Sequence, residues 1–206
     1  MPFPSPPWHM QGQMWLTLFR SRGHGEGRPP GVYGVALVDY QPGSVLTYGE
    51  LLVARPRRVK SGRDKGRHVT VTDIWVDSEE SLVGGRALWA IPKDLAVFDW
   101  SPDGRRGSVE ATVSTQPQSP ATSGPGQAIA TAEFSAPRLL MPRVPFSGST
   151  WQPRDGSSVV AKLKGSSRTF PVKGRWTFDP DGPLAWLAGA KQLSSVVMRD
   201  FRMSFG

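Results

Sequence analysis

Gly85-Arg86-Ala87-Leu88-Trp89-Ala90-Ile91-Pro92-Lys93-Asp94-Leu95-Ala96-Val97-Phe98 sets a lysine inside an apolar run, directly after a proline. Pro92 drives Ile91 to extended angles, so a helix that reaches Trp89 has to stop there. The helix start is visible upstream in Asp77-Ser78-Glu79-Glu80. Asp77 can cap it, Glu80 stands at the capping-box spacing, and both glutamates suit the positive end of a helix. Lys93 therefore follows a short helix and opens an extended segment. A lysine among apolar neighbours either snorkels to water or loses its hydration. Loss of hydration disfavours the ammonium and lowers the pKa from about 10.4, leaving free amine near neutral pH. Free amine can add to a carbonyl and form an iminium that withdraws electrons from the adjacent bond.

Outward from this segment the pattern is of strands. Met14–Arg20, Val32–Tyr40, Ser44–Ala54 and Val69–Val76 precede the helix, each rich in β-branched, aromatic or leucine residues. Ala96–Trp100 and Val109–Ser114 flank Ser101-Pro102-Asp103-Gly104-Arg105-Arg106-Gly107, a hairpin with turn chemistry at its centre. Ala128–Phe134, Ser157–Lys164, Arg168–Phe178 and Ser195–Phe205 read as later strands, and Pro183 starts a second short helix over Leu184–Lys191. About nine strands with a few short helices give a mainly β fold, a barrel or curled sandwich, in a single domain over residues 1–206. Residues 115–127 are Ser/Thr/Pro/Gly/Gln-rich and read as a flexible polar loop inside that domain.

Composition removes several chemistries. There is no cysteine, hence no disulfide, thiolate nucleophile or sulfur-ligated metal, and a reducing cytoplasm is the default location. His9, His24 and His68 lack metal-ligand spacing, so no metal is expected. The start MPFPSPPWH has no basic residues before an apolar run, so no signal peptide is expected, and no stretch is long and apolar enough for a membrane span. The net charge of +8 is concentrated in residues 55–67, where seven Arg or Lys face Asp64 alone. With Gly62 and Gly66 this segment reads as a solvated basic loop between strands. Phosphate or RNA binding is the lesser reading, because no aromatic residue is interleaved for base stacking.

Gly85-Arg86 followed by Pro92-Lys93 resembles the segment of acetoacetate decarboxylases that runs Gly-Arg-Glu, several mostly apolar residues, then Pro-Lys-Lys. Val45-Leu46-Thr47-Tyr48-Gly49-Glu50-Leu51-Leu52 is similar to the strand that carries that family's active-site glutamate. Asp73–Asp77 and the ending from Pro183 to Gly206 fit in the same order. The resemblance implies a cone-like, mostly antiparallel β-barrel, often in a homo-oligomer. It implies a carbonyl or keto-acid ligand and no metal or organic cofactor. It makes Lys93 the Schiff-base residue and Glu50 a proton carrier or substrate-orienting group. Acetoacetate decarboxylase is itself the standard case of a lysine activated by lost hydration or a cationic neighbour. Tyr48, Gln13, Arg86 and Trp89 are the substrate-binding candidates, although bracing the helix by hydrogen bonds is the stronger reading of Arg86.

Three positions depart from the family pattern. Asp94 replaces the second lysine, although side chains of neighbouring residues in an extended segment face opposite ways. Ala87 replaces the glutamate after Gly-Arg. The family's substrate-facing arginine falls near Gly12 or Gln13, neither of them basic. The expected activity is that of a lyase acting on a keto acid or β-dicarbonyl compound through a Lys93 Schiff base. The departures leave open a barrel that binds a small ligand without turnover.

Overall fold

The computed structural model describes residues 3–25, 27–103, 108–115, 126–135 and 141–206. Among these residues eleven strands and one α-helix follow in the order β1 (Trp8–Ser21), β2 (Gly31–Tyr40), β3 (Tyr48–Val59), β4 (Gly66–Val76), α1 (Glu79–Trp89), β5 (Lys93–Asp103), β6 (Ser108–Thr115), β7 (Ala128–Ser135), β8 (Val144–Arg154), β9 (Ser157–Pro171), β10 (Lys173–Phe178) and β11 (Lys191–Phe205). Seven strands close a barrel in the order β4-β3-β2-β1-β11-β9-β8, with β8 meeting β4 where Thr150 pairs with Val69. β5, β6, β7 and β10 extend the sheet from the other end of β4. All pairings are antiparallel except β4–β5, joined through α1, and the β4–β8 closure.

Period-two alternation divides the barrel wall between two apolar cores. On β1, Trp15 and Phe19 join Tyr33, Leu37, Leu51, Phe134 and Phe170 in the core between the barrel and the extension. Trp8 and Met10 turn inward, with Met14 and Leu16 packed beside them, into the second core with Val38, Val71, Ile74 and Phe201. The same β1 keeps this alternation through a bulge between Gly12 and Met14. At Gly12 the backbone, at φ 155°, lies so close to the Asp39 carbonyl that a Cβ has no room. Of the two positions near which the family pattern suggests an arginine, Gly12 is therefore closed to any side chain, and Gln13 is the other.

Several sequence expectations need correction. The basic stretch 55–67 is not a loop: Arg55–Val59 complete β3, Gly66 and Arg67 open β4, and only residues 60–65 connect them. Arg57 is accommodated in β3 where its guanidinium sits 4.5 Å from the Trp151 ring centroid. Ser78, not Asp77, caps α1, its Oγ accepting from the Ser81 N–H at 3.1 Å. Asp77 is drawn away because its Oδ1 accepts from the Gly49 N–H at 2.7 Å. Only a 3₁₀ turn, Ala185–Leu187, forms where a helix to Lys191 was expected, because Lys191 is taken into β11 opposite Arg20. β8 was missed: Pro145 and Pro153 discourage a strand, yet β8 is fully paired only with β9, so the missing N–H groups cost little. The polar loop 115–127 and the hairpin tip at 104–107 fall largely outside the described residues.

No helix among the described residues is long and apolar enough to cross a membrane.

Candidate active site

β3 and β5 flank β4 at its end near α1, and this places the two principal side chains. Glu50 pairs with Val76 and Lys93 with Ile74, positions two apart on β4 and so on one face of the sheet. That face is the barrel interior. The Lys93 ammonium donates to Glu50 Oε2 at 2.8 Å, to Ser81 Oγ at 2.8 Å and more weakly to the Tyr48 hydroxyl at 3.4 Å. All three of its protons are thereby directed. Glu50 Oε1 accepts from the Tyr40 hydroxyl at 3.2 Å, and Oε2 lies 3.5 Å from the Tyr48 hydroxyl. Lys93 and Glu50 are 3% and 4% exposed, so the pair is removed from bulk water.

The helix is shaped to let the lysine pass. A Cβ at Gly85 would lie 2.8 Å from Lys93 Cδ and Cε, and one at Gly84 would lie 2.7 Å from the Trp8 ring. Two adjacent glycines thus bring α1 down onto the barrel end, against Trp8 on one side and the lysine stem on the other. Ser81 stands one turn before Gly85 on the same helix face, which is why its hydroxyl reaches the amine. After Trp89 the helix ends at Ala90 in the left-handed conformation (φ 54°), and the Ala90 and Ile91 N–H groups close on the Arg86 and Gly85 carbonyls. The reversal swings Pro92 and Lys93 into β5.

Electrostatics overturn one sequence expectation. Burial pulls the Lys93 amine down, as expected, but the Glu50 carboxylate and the Tyr48 oxygen outweigh it, and the pKa ends above the ordinary 10.5. At rest the amine is an ammonium, held in charge by its partner. Burial, aided by Glu50, raises the Tyr40 hydroxyl well above the ordinary phenol range and lifts Tyr48 to about 12, so both stay protonated donors.

These groups open onto a cavity of about 320 Å³ inside the barrel, whose walls are otherwise Trp8, Met14, Leu16, Leu52, Val71, Trp89 and similar apolar side chains. Of the sequence candidates, Lys93, Glu50, Tyr48 and Trp89 meet there. Gln13 does not line it. Arg86 lies outside as a brace: its Nε donates to the Lys93 carbonyl at 2.7 Å and its Nη2 to Asp94 Oδ1 at 2.6 Å. Asp94 accordingly faces away from the amine, as the alternation in an extended segment requires. Ser81, Tyr40 and Thr150 were not singled out from sequence. Ser81 could have been found by its spacing of four from Gly85, whereas Thr150 had no signal because β8 itself was missed. No three His, Asp or Glu among the described residues lie together in a way that could hold a metal ion.

The acetoacetate decarboxylase family model matches residues 26–177. No curated protein sequence matches significantly. Among solved structures, acetoacetate decarboxylase from Legionella pneumophila subsp. pneumophila str. Philadelphia 1 is similar in fold, with a TM-score of 0.66 at 13% identity over 100% of this chain and 86% of that one. An acetoacetate decarboxylase-like enzyme from Sphingomonas wittichii RW1 aligns with a TM-score of 0.62 at 14% identity, over 99% and 91% of the two chains. The enduracididine biosynthesis enzyme MppR, complexed with the condensation product of pyruvate and imidazole 4-carboxaldehyde, aligns with a TM-score of 0.62 at 16% identity, over 99% and 88%.

Proposed function

The chain belongs to the acetoacetate decarboxylase family, and from that premise we propose that it is a carbon–carbon lyase acting on a keto acid or β-dicarbonyl compound through an imine on Lys93. The observation that carries this reading is the buried Lys93–Glu50 pair at the wall of an apolar cavity. A charged amine is no nucleophile, so the first event is transfer of one proton from Lys93 to Glu50 across their 2.8 Å contact. Both products are neutral, and in an apolar surround the exchange of an ion pair for a neutral pair is far less costly than expelling a proton to bulk water. The same contact that holds the ammonium is thus the route by which it is discharged.

The amine then adds to the substrate carbonyl carbon, and the carbonyl oxygen leaves as water. One of that water's protons comes from the amine and the other is returned by Glu50, which is left as a carboxylate beside the iminium. The iminium nitrogen accepts the electron pair of the adjacent carbon–carbon bond as it breaks. Carbon dioxide leaves from a β-keto acid; in a β-diketone, water first adds to the second carbonyl and a carboxylic acid leaves. The resulting enamine takes a proton at carbon, and water releases Lys93. Tyr48 and Ser81 hold the nitrogen in place throughout. The MppR structure, complexed with the condensation product of pyruvate and imidazole 4-carboxaldehyde, supports a carbonyl-derived ligand for a barrel of this fold.

A second reading, ligand binding without turnover, is favoured by the absence of any arginine from the cavity lining among the described residues. The two are separated by product analysis. On incubation with benzoylacetone, acetylacetone and acetoacetate, NMR detects the matching ketone with acetate, benzoate or carbon dioxide. The products disappear in the Lys93→Met/Glu50→Leu protein. Saturable binding of these compounds with no product from any of them contradicts the lyase reading.

A further inference from the structure

We propose that the compound this cavity accepts is an uncharged, elongated carbonyl compound whose far end carries a hydrogen-bonding oxygen received by Thr150; the inference rests on the Lys93 reading for the carbonyl end only.

Charge is the first constraint. Lys93 and Glu50 are the only charged side chains among the described residues that line the cavity, and at 2.8 Å they neutralise each other. A carboxylate entering with the substrate would be buried with no cation of its own. An unpaired buried charge is the costliest group a protein interior can hold. Gly12 is closed to a side chain by the Asp39 carbonyl, and the neighbouring Gln13 is uncharged and does not line the cavity. A neutral ketone, aldehyde or β-diketone meets no such penalty.

Size is the second. A volume of about 320 Å³ corresponds to some ten waters at ~30 Å³ each, well beyond a three- or four-carbon keto acid. The walls between the ends, Leu16, Leu52, Val71, Leu163 and Met198, offer only apolar contact.

The third is an orphaned hydroxyl. Thr150 lines the cavity, is 5% exposed, and its Oγ1 has no hydrogen-bond partner among the described residues. A buried polar atom without a partner calls for an explanation. Valine would fill the same space without cost, so the hydroxyl is spent on something that arrives. Thr150 stands level with Val69 on β4, while Lys93 stands level with Ile74. Five residues of β4, one of them taken up by the bulge between Val71 and Asp73, separate the two levels, roughly 13 Å of backbone at ~3.3 Å per residue, shortened by the reach of the lysine stem. The cavity thus has an electrophile-accepting end, an apolar middle and a hydrogen-bonding end.

The probes are benzylacetone, its para-hydroxyphenyl counterpart, pyruvate and acetoacetate, with affinity read by calorimetry and imine formation by the mass gained on borohydride reduction. The hydroxyphenyl ketone is expected to bind at least tenfold more tightly than either acid. Thr150→Val is expected to weaken the hydroxyphenyl ketone about 3–10-fold, one hydrogen bond's worth, and to leave benzylacetone within twofold. Circular dichroism and the unchanged benzylacetone affinity show that the variant is folded. Tighter binding of pyruvate or acetoacetate than of both ketones, or equal losses for both ketones in Thr150→Val, overturns the inference. If the acids alone are trapped on Lys93, the lysine chemistry stands and this inference falls. If the hydroxyphenyl ketone binds in a Thr150-dependent way but no probe is ever trapped, this inference stands and the lysine chemistry falls.

Discussion

Lys93→Met protein melts on the order of 10 °C below the parent, and adding Glu50→Leu restores most of the difference. Removing the lysine strands the Glu50 carboxylate, 4% exposed, in an apolar cavity with only the Tyr40 and Tyr48 hydroxyls for support. Breaking a buried ion pair on one side costs about 3–5 kcal/mol, whereas replacing both partners with apolar groups of similar volume is close to neutral. For a domain of this size each kcal/mol is worth roughly 2–4 °C. Thermal melts of the two single variants and the double variant form a cycle that reads this directly. Additive losses in the double variant contradict a coupled buried pair. The pH dependence has a definite sign. Because the folded Lys93 pKa lies above the ordinary 10.5, the pair's contribution is fully present below pH 10.5 and is lost only as pH rises through the higher folded value. The pair's contribution to the parent's stability is therefore flat across neutral pH and falls away in strong alkali.

Glu50→Gln has the largest expected effect on chemistry. The substitution keeps the volume and a hydrogen-bond acceptor for the ammonium but deletes the negative charge. Burial, the largest single influence on Lys93, then acts with its main opponent gone, and the pKa falls below that of an ordinary lysine. Two consequences separate. Initial adduct formation with a neutral ketone gains, since free amine is present near neutral pH. Complete turnover loses about 10²–10⁴-fold, since the group that carries a proton to the departing oxygen is gone. A ¹³C-labelled lysine titration followed by NMR, with Lys93→Met/Glu50→Leu used to assign the Lys93 signal, checks the first part. Steady-state rates on the best diketone check the second. A Lys93 signal that titrates like the surface lysines in both parent and Glu50→Gln proteins rules out the electrostatic account.

How far the sequence foretold this arrangement differs from residue to residue. The turn from α1 into β5 was legible because Pro92, the paired glutamates and the apolar run leave few options locally, and Lys93 follows from it. Glu50 was legible only through resemblance, because its proximity to Lys93 depends on both strands flanking β4, a pairing 43 residues apart in sequence. The direction of the Lys93 pKa was misread for the same reason. Burial is visible in local hydrophobicity, but the opposing carboxylate belongs to another strand. Ser81 and the Gly84–Gly85 pair show the intermediate case: their spacing marks one helix face, while what that face meets is set by the barrel. β8 was hidden by its prolines, and Thr150 with it. The Asp94 departure proved harmless to the amine because alternation turns it outward to Arg86. The missing arginine instead reaches into the substrate question, since at Gly12 the close approach of the Asp39 carbonyl leaves no room for any side chain.

The most direct test of the central claim is reductive trapping with residue mapping. The parent protein is incubated with benzoylacetone or pyruvate, reduced with cyanoborohydride, digested and sequenced by mass spectrometry. One adduct per chain, located on Lys93 and competed away by a non-carbonyl analogue, is the predicted result. Adducts scattered over the exposed lysines, with Lys93 unmodified under every carbonyl compound tried, contradict it.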